Sequence, residues 1–162
     1  MSYLKSRFLR WTAALAIWLL LPFSGALHAG VPGSTSSVNV DPTHLALAGY
    51  DPVAYFESGK PTHGKPDIHA SHNGARYWFA SEAHRKAFLK NPTRYLPQFG
   101  GFCAVGTSFG EKVDVDPETG KVVDGKLYLN NGPKAQEIFD KDPDGTISRA
   151  NKEWPSVRDK AL

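Results

Sequence analysis

YWFASEAHRKAFLKNPTRYLPQFGGFCAVG, residues 77–106, carries the signals that decide how the chain folds. Tyr77 to Phe79 is an aromatic strand. Ser81 is a helix-capping residue, and Glu82 lies in the first turn, where a carboxylate complements the helix dipole. On helical spacing Ala83 lies beside Ala87 and His84 beside Phe88, so the apolar stripe includes or borders His84. Asn91 and Pro92 are a cap and first-turn pair for a second short helix ending near Leu96, where Pro97 prevents continuation. Gly100 and Gly101 then permit a tight backbone turn into Cys103, the only cysteine.

Upstream of this stretch, Asn73 and Gly74 are the residues a two-residue type I′ turn demands, because both central positions need positive φ. The spacing predicts a hairpin over about 67–79, pairing His72 with Ala75, Ser71 with Arg76, Ala70 with Tyr77, His69 with Trp78 and Ile68 with Phe79. Opposed partners share a face, so Ile68, Ala70, Tyr77 and Phe79 form the core side. Trp78 falls on the more polar side, as a partner contact or as cover for a loop. Nearer the start, Asp41 opens a short helical turn carrying His44 and Leu45 and closed by Gly49, and GYDPVAYF places a strand at Val53 to Phe56. Downstream, Asp124–Gly125 turns a second hairpin between Val122–Val123 and Lys126–Leu129. Pro133 begins a helix over Ala135, Ile138 and Phe139, and Ile147, Ala150 and Trp154 line a final helix that Pro155 ends. The expected fold class is α+β, a small single domain of antiparallel β-hairpins packed against short helices.

The amino terminus reads as an export signal. Lys5, Arg7 and Arg10 precede an apolar run from Trp11 to Leu21, broken by Pro22 ahead of the small residues Ser24, Gly25 and Ala26. The run is about half the roughly 20 residues that a spanning helix needs. Residues 1–26 are expected to be a signal peptide, with a cut after Ala29 as the alternative. Residues 27–37, rich in glycine, serine and proline, are expected to be a flexible linker, and 38–158 the domain. The chain has 19 basic and 16 acidic residues. Removing the three cations of the signal balances the two, so the mature chain offers no basic surface for nucleic acid and little attraction to anionic lipid. The expected location is periplasmic or secreted. There a lone cysteine cannot form an internal disulfide, leaving Cys103 as a packed small residue, a metal ligand or an intermolecular link.

FASEAHRKAFLKNPTRYL (79–96), preceded by GYDPVAYF (49–56) and followed by GGFCAVG (100–106), resembles the YHS domain family, in its exported branch of small stand-alone proteins. VDGKLYLN (123–130) and ANKEWPSV (150–157) extend the resemblance over roughly Leu45 to Val157. The resemblance implies a small α+β module. Other branches sit in or beside metal-transporting ATPases and metal-dependent oxygenases, which is the source of a soft-metal expectation. Those branches carry cysteine in a DPVC motif and twice in an FCSxxC motif, where this chain has Ala54, Ala80 and His84. A metal site kept here is therefore a rebuilt one, with His84 replacing a thiolate and Cys103 supplying a new one.

The candidate ligands are Cys103 and His84, with His44 as a third, since imidazole with thiolate suits copper or zinc. Met1 is the only methionine and leaves with the signal, so a blue-copper site would lack its usual axial thioether. His69 and His72 point to opposite faces of a regular strand, which argues against shared ligation. Asp140, Asp142, Asp144, Gly145 and Ile147 match the first half of an EF-hand loop, but the twelfth position is Asn151, where calcium needs a bidentate glutamate. A Cys103–His84 pair oriented by Asp51 is the one nucleophilic arrangement the residues suggest. No GxSxG elbow, HExxH helix or phosphate-cradling loop occurs. The function expected is thus a non-catalytic module binding a soft metal through Cys103 and His84. Its alternative is a protein-interaction module in which Trp78 and the Gly100–Phe102 turn form the contact surface.

Overall fold

The computed structural model describes residues 30–162, so the expected signal peptide lies outside the described residues. The fold is α+β. In chain order the elements are α1 (Ala54–Glu57), β1 (Lys65–His72), β2 (Ala75–Phe79), α2 (Glu82–Lys90), α3 (Pro92–Tyr95), α4 (Ala104–Ser108), β3 (Asp116–Val123), β4 (Lys126–Asn130), α5 (Pro133–Lys141) and α6 (Pro143–Val157). Left-handed turns at Leu47–Gly49 and Gln98–Gly101 precede α1 and α4. β1 pairs antiparallel with β2, and β3 with β4, as two separate two-stranded sheets.

The first hairpin forms in the expected register from His72–Ala75 back to His69–Trp78. There it departs from expectation, because a bulge pairs Phe79 with Lys65 instead of Ile68. Ala70, Tyr77 and Phe79 are buried, and Ile68 packs at the edge of the core. Ser81 Oγ accepts the His84 N–H at 3.2 Å, capping α2 as predicted. Phe88, on the inner face of α2, meets the rings of Tyr77 and Phe79 at 5.1 and 5.2 Å. On the other side the Tyr128 ring packs tilted against those of Phe139 and Phe99, and Phe99 meets Trp154 edge to face. Tyr55 ties α1 to the second hairpin. Its hydroxyl donates to the Pro117 carbonyl at 2.7 Å, and its ring lies over Gly120, where a Cβ would collide with it.

Several local expectations are corrected. Residues 53–56 are helical, not extended: Asp51 Oδ1 accepts the Val53 N–H at 2.8 Å, so Asp51–Pro52 opens a helical turn. The stretch from Asp41 is not a helix but a turn stapled by its own side chain, since Asp41 Oδ1 takes the N–H groups of Thr43 and Leu45. Asn91 makes no side-chain cap to α3; its Oδ1 accepts from the Thr93 hydroxyl. Pro155 does not stop α6, which continues to Val157; it sits in the last turn, where a missing N–H disturbs few bonds.

The described part of the expected linker is tied down. Gly33 N–H donates to the Leu162 carbonyl and Leu162 N–H to the Ser34 carbonyl. Between these ends lies Lys112, whose ammonium donates to the carbonyls of Lys160 at 2.8 Å and Arg158 at 3.2 Å, and also to that of Ser36. It rests over the Phe102 ring at 4.7 Å. Glycine and serine content signalled freedom here, but a distant lysine supplies the anchor.

Candidate functional site

The Asp51–Pro52 turn and the first turn of α2 bring together the most distinctive polar contact of the domain. Asp51 is fully buried, and its carboxylate is held from three directions. Oδ1 accepts the Val53 N–H, while Oδ2 accepts the Ala80 N–H at 2.8 Å and the His84 ring nitrogen Nδ1 at 2.6 Å. A buried carboxylate is costly unless its lone pairs are satisfied, and these donors satisfy it. Because a carboxylate can only accept, the bond places the proton on His84 Nδ1. The imidazole is 27% exposed, and Nε2 has no hydrogen-bond partner among the described residues. The dyad therefore offers one oriented imidazole nitrogen.

Cys103 has a different setting. It is 2% exposed, at the amino end of α4, where its sulfur accepts the Gly106 N–H at 3.3 Å. The thiol lies 3.8 Å from Asn130 Oδ1, and Asn130 in turn donates to Gln136 Oε1 at 2.9 Å. Burial pushes the thiol above its ordinary range, only partly offset by the backbone N–H groups of Gly106, Asn131 and Val105. We expect iodoacetamide at pH 8 to modify the native thiol at least about tenfold more slowly than the denatured one. The same shift sets a direction for stability. The folded state keeps the proton above 9.0, the ordinary value for the thiol, so stability is intact below that pH and declines as pH rises through the raised value. Tyr77, pushed up to about 12 by burial, extends the decline. Urea denaturation between pH 7.5 and 10.5 reads this loss, and Cys103→Ser is expected to remove its first part.

His44 stands apart from both. It is exposed, with φ of 64° in the Asp41–Leu45 turn, and its carbonyl accepts the Arg76 N–H at 2.8 Å. His84, Cys103 and His44 thus occupy three distinct hydrogen-bonding settings. Among the described residues no group of three or more His, Cys, Asp or Glu side chains is placed to hold a metal ion. The donors do not fit a copper or zinc site shared by these three, because the thiol is sealed and protonated in a network of amides. The EF-hand-like segment is no calcium loop either: Asp142 caps α6 by accepting the Gly145 N–H, and residues 143–157 are helical.

Trp78 and the Gly100–Phe102 turn both make contacts within the domain. The Trp78 ring covers Gly49, where a Cβ would strike it, and Gly100 lies against the Ser37 carbonyl with its own oxygen accepting the Asn39 N–H. Asn130 and Gln136 were not singled out from sequence; the available signal was a strand, KLYLN, that ends its apolar run on a fully buried amide. Among the described residues no helix is long and apolar enough to cross a membrane. Comparison of the chain with protein-family models, with curated proteins and with solved structures gives no match.

Proposed function

We propose that this chain is an exported, non-catalytic, YHS-like module that binds a protein partner, and that the His84 imidazole held by Asp51 is the group the partner contacts. The observation that carries this reading is the 2.6 Å contact between a part-exposed imidazole and a fully buried carboxylate. Fixing the ring through Nδ1 aims Nε2 in one direction, as an acceptor in the neutral imidazole, and a preorganised group loses less entropy on binding. Catalysis has less support, since the thiol has amides and backbone for neighbours and no imidazole to activate it. A carboxylate-braced imidazole also suits a single terminal ligand to copper or zinc, the other ligands coming from the molecule that carries the ion.

A photo-crosslinking residue placed at exposed Ala83 in the full chain tests the proposal in the compartment where the protein resides. The expected result is a discrete crosslinked protein that is lost with His84→Ala. The same crosslink in that variant, or none in the parent, contradicts the reading. Titration of the reduced protein with Cu(I) and Zn(II) is expected to give no tight stoichiometric site. Tight binding lost in both Cys103→Ser and His84→Ala would replace this proposal with the shared metal site.

A further inference from the structure

The two halves of the domain follow one plan. Leu47, Ala48 and Gly49 are left-handed, with φ of 56°, 48° and 81°, and roughly fifty residues later Phe99, Gly100 and Gly101 repeat this at 54°, 62° and 84°. An aromatic residue follows each turn, Tyr50 or Phe102, and then Asp51 or Cys103 ahead of a short helix. Next come hairpins with the same strand lengths, 8 and 5 residues in each. Their turns are Asn73–Gly74 at φ 50° and 78° and Asp124–Gly125 at 50° and 71°. Each hairpin shifts register between the first and second residue pairs, after Lys65 and after Asp116. Each is followed by a helix of 9 residues, α2 or α5. Asn91 (φ −151°, ψ 76°) and Asp142 (φ −151°, ψ 69°) end these helices, and a proline opens the next in both halves.

Packing repeats as well. The parallel bridge of Leu45 with Arg76 recurs as Pro97 with Leu127, and buried Tyr77 and Phe88 recur as buried Tyr128 and Phe139. Chance agreement of this many ordered features, including two runs of strained left-handed residues, is a poor account. Non-glycine residues rarely adopt that conformation.

We infer that the domain is two copies of one unit, and that the position held by Asp51 and His84 in the first copy is held by Cys103 and Ala135 in the second. The surrounding backbone supports the match. Asp51 accepts the Ala80 N–H at the end of the first hairpin, and at the end of the second the Asn130 amide oxygen lies 3.8 Å from the Cys103 sulfur. Both units thus place an acceptor just past the left-handed turn, where it takes an N–H from the helical turn that follows, that of Val53 or that of Gly106. Only the first adds an imidazole, at the third residue of α2, where the third residue of α5 is alanine.

The second unit acts as an internal control for the first. It closes without an imidazole, so the unit does not need one to fold, and His84 is the residue kept for contact with something outside the domain. Cys103 stands in for the carboxylate as a structural acceptor. The second unit accordingly holds a blank version of the His84 site, which two substitutions should equip. The equivalence of the two positions stands whether or not a partner is found for His84.

The test is Cys103→Asp combined with Ala135→His, read by long-range ¹H–¹⁵N NMR of the histidine rings. The expected result is a second ring with its proton fixed on Nδ1, like that of His84, whereas Ala135→His alone gives a ring averaging between tautomers. An introduced ring that behaves alike in the single and double variants overturns the inference. Should the double variant not fold, the reciprocal exchange decides: Asp51→Cys with His84→Ala rewrites the first unit as the second. It is expected to lose less than half the melting temperature that Asp51→Ala loses, and a loss as large as that of Asp51→Ala refutes the equivalence.

Discussion

Replacing Asp51 with alanine is expected to destabilise the domain by about 3 to 5 kcal/mol, because the change strands the donors that the buried carboxylate collects. The N–H groups of Val53 and Ala80 both end on this side chain, and it is fully buried, so water does not replace it without opening the fold. For a domain of this size the loss corresponds to roughly 10 to 20 °C in melting temperature. Asp51→Asn keeps one acceptor oxygen and is expected to fall between the alanine variant and the parent. His84→Ala removes one of the three donors on the buried carboxylate and leaves the two backbone N–H groups in place, so its effect is expected to be smaller, at about 1 to 2 kcal/mol. Thermal melts of the four proteins check this ordering. Equal losses for Asp51→Ala and His84→Ala would mean that the imidazole is a structural support.

Phe88→Ala is the second large effect, expected at about 3 to 5 kcal/mol. The side chain is fully buried and touches the rings of Tyr77 and Phe79, and it also meets the His72 ring edge-on. Removing it takes away the ring that clamps α2 onto the first hairpin. Because α2 carries His84, the variant is also expected to loosen the contact with Asp51, seen as faster exchange of the Ala80 and His84 backbone amides. Phe139→Ala is expected to cost a similar amount, since Phe139 is likewise fully buried and packs against Tyr128 in the second half. Urea denaturation of both variants gives the comparison.

Much of this architecture is legible where chemistry is local. Asn73–Gly74 and Asp124–Gly125 declare their turns, Ser81 declares a helix start, and Pro133 opens α5. What escapes is decided by contacts between distant residues. Asp51–Pro52 suits a turn into a strand as well as a helix cap, and the Val53 and Ala80 amides settle it. The segment from Gly30 to Ser37 has the composition of a linker, and only the Lys112 ammonium shows why it docks. Of the candidate site, the residues suggest Asp51 only as the orienter of a Cys103–His84 pair; Asp51 does meet His84, whereas Cys103 finds amides instead of the imidazole. The repeated plan is nearly invisible in sequence. Few aligned positions are identical, among them Gly49 with Gly101 and Phe88 with Phe139, and a one-residue change before the hairpins breaks the register of any simple comparison.

The central claim is that a buried carboxylate fixes the His84 ring so that Nε2 is presented as an acceptor. Long-range ¹H–¹⁵N NMR of the ¹⁵N-labelled protein at pH 8 tests it most directly. The account predicts a His84 ring in the Nδ1–H form, with an Nε2 shift typical of an unprotonated nitrogen, and loss of that pattern in Asp51→Asn. A His84 ring carrying its proton on Nε2, or averaging between tautomers as an exposed histidine does, would contradict the account.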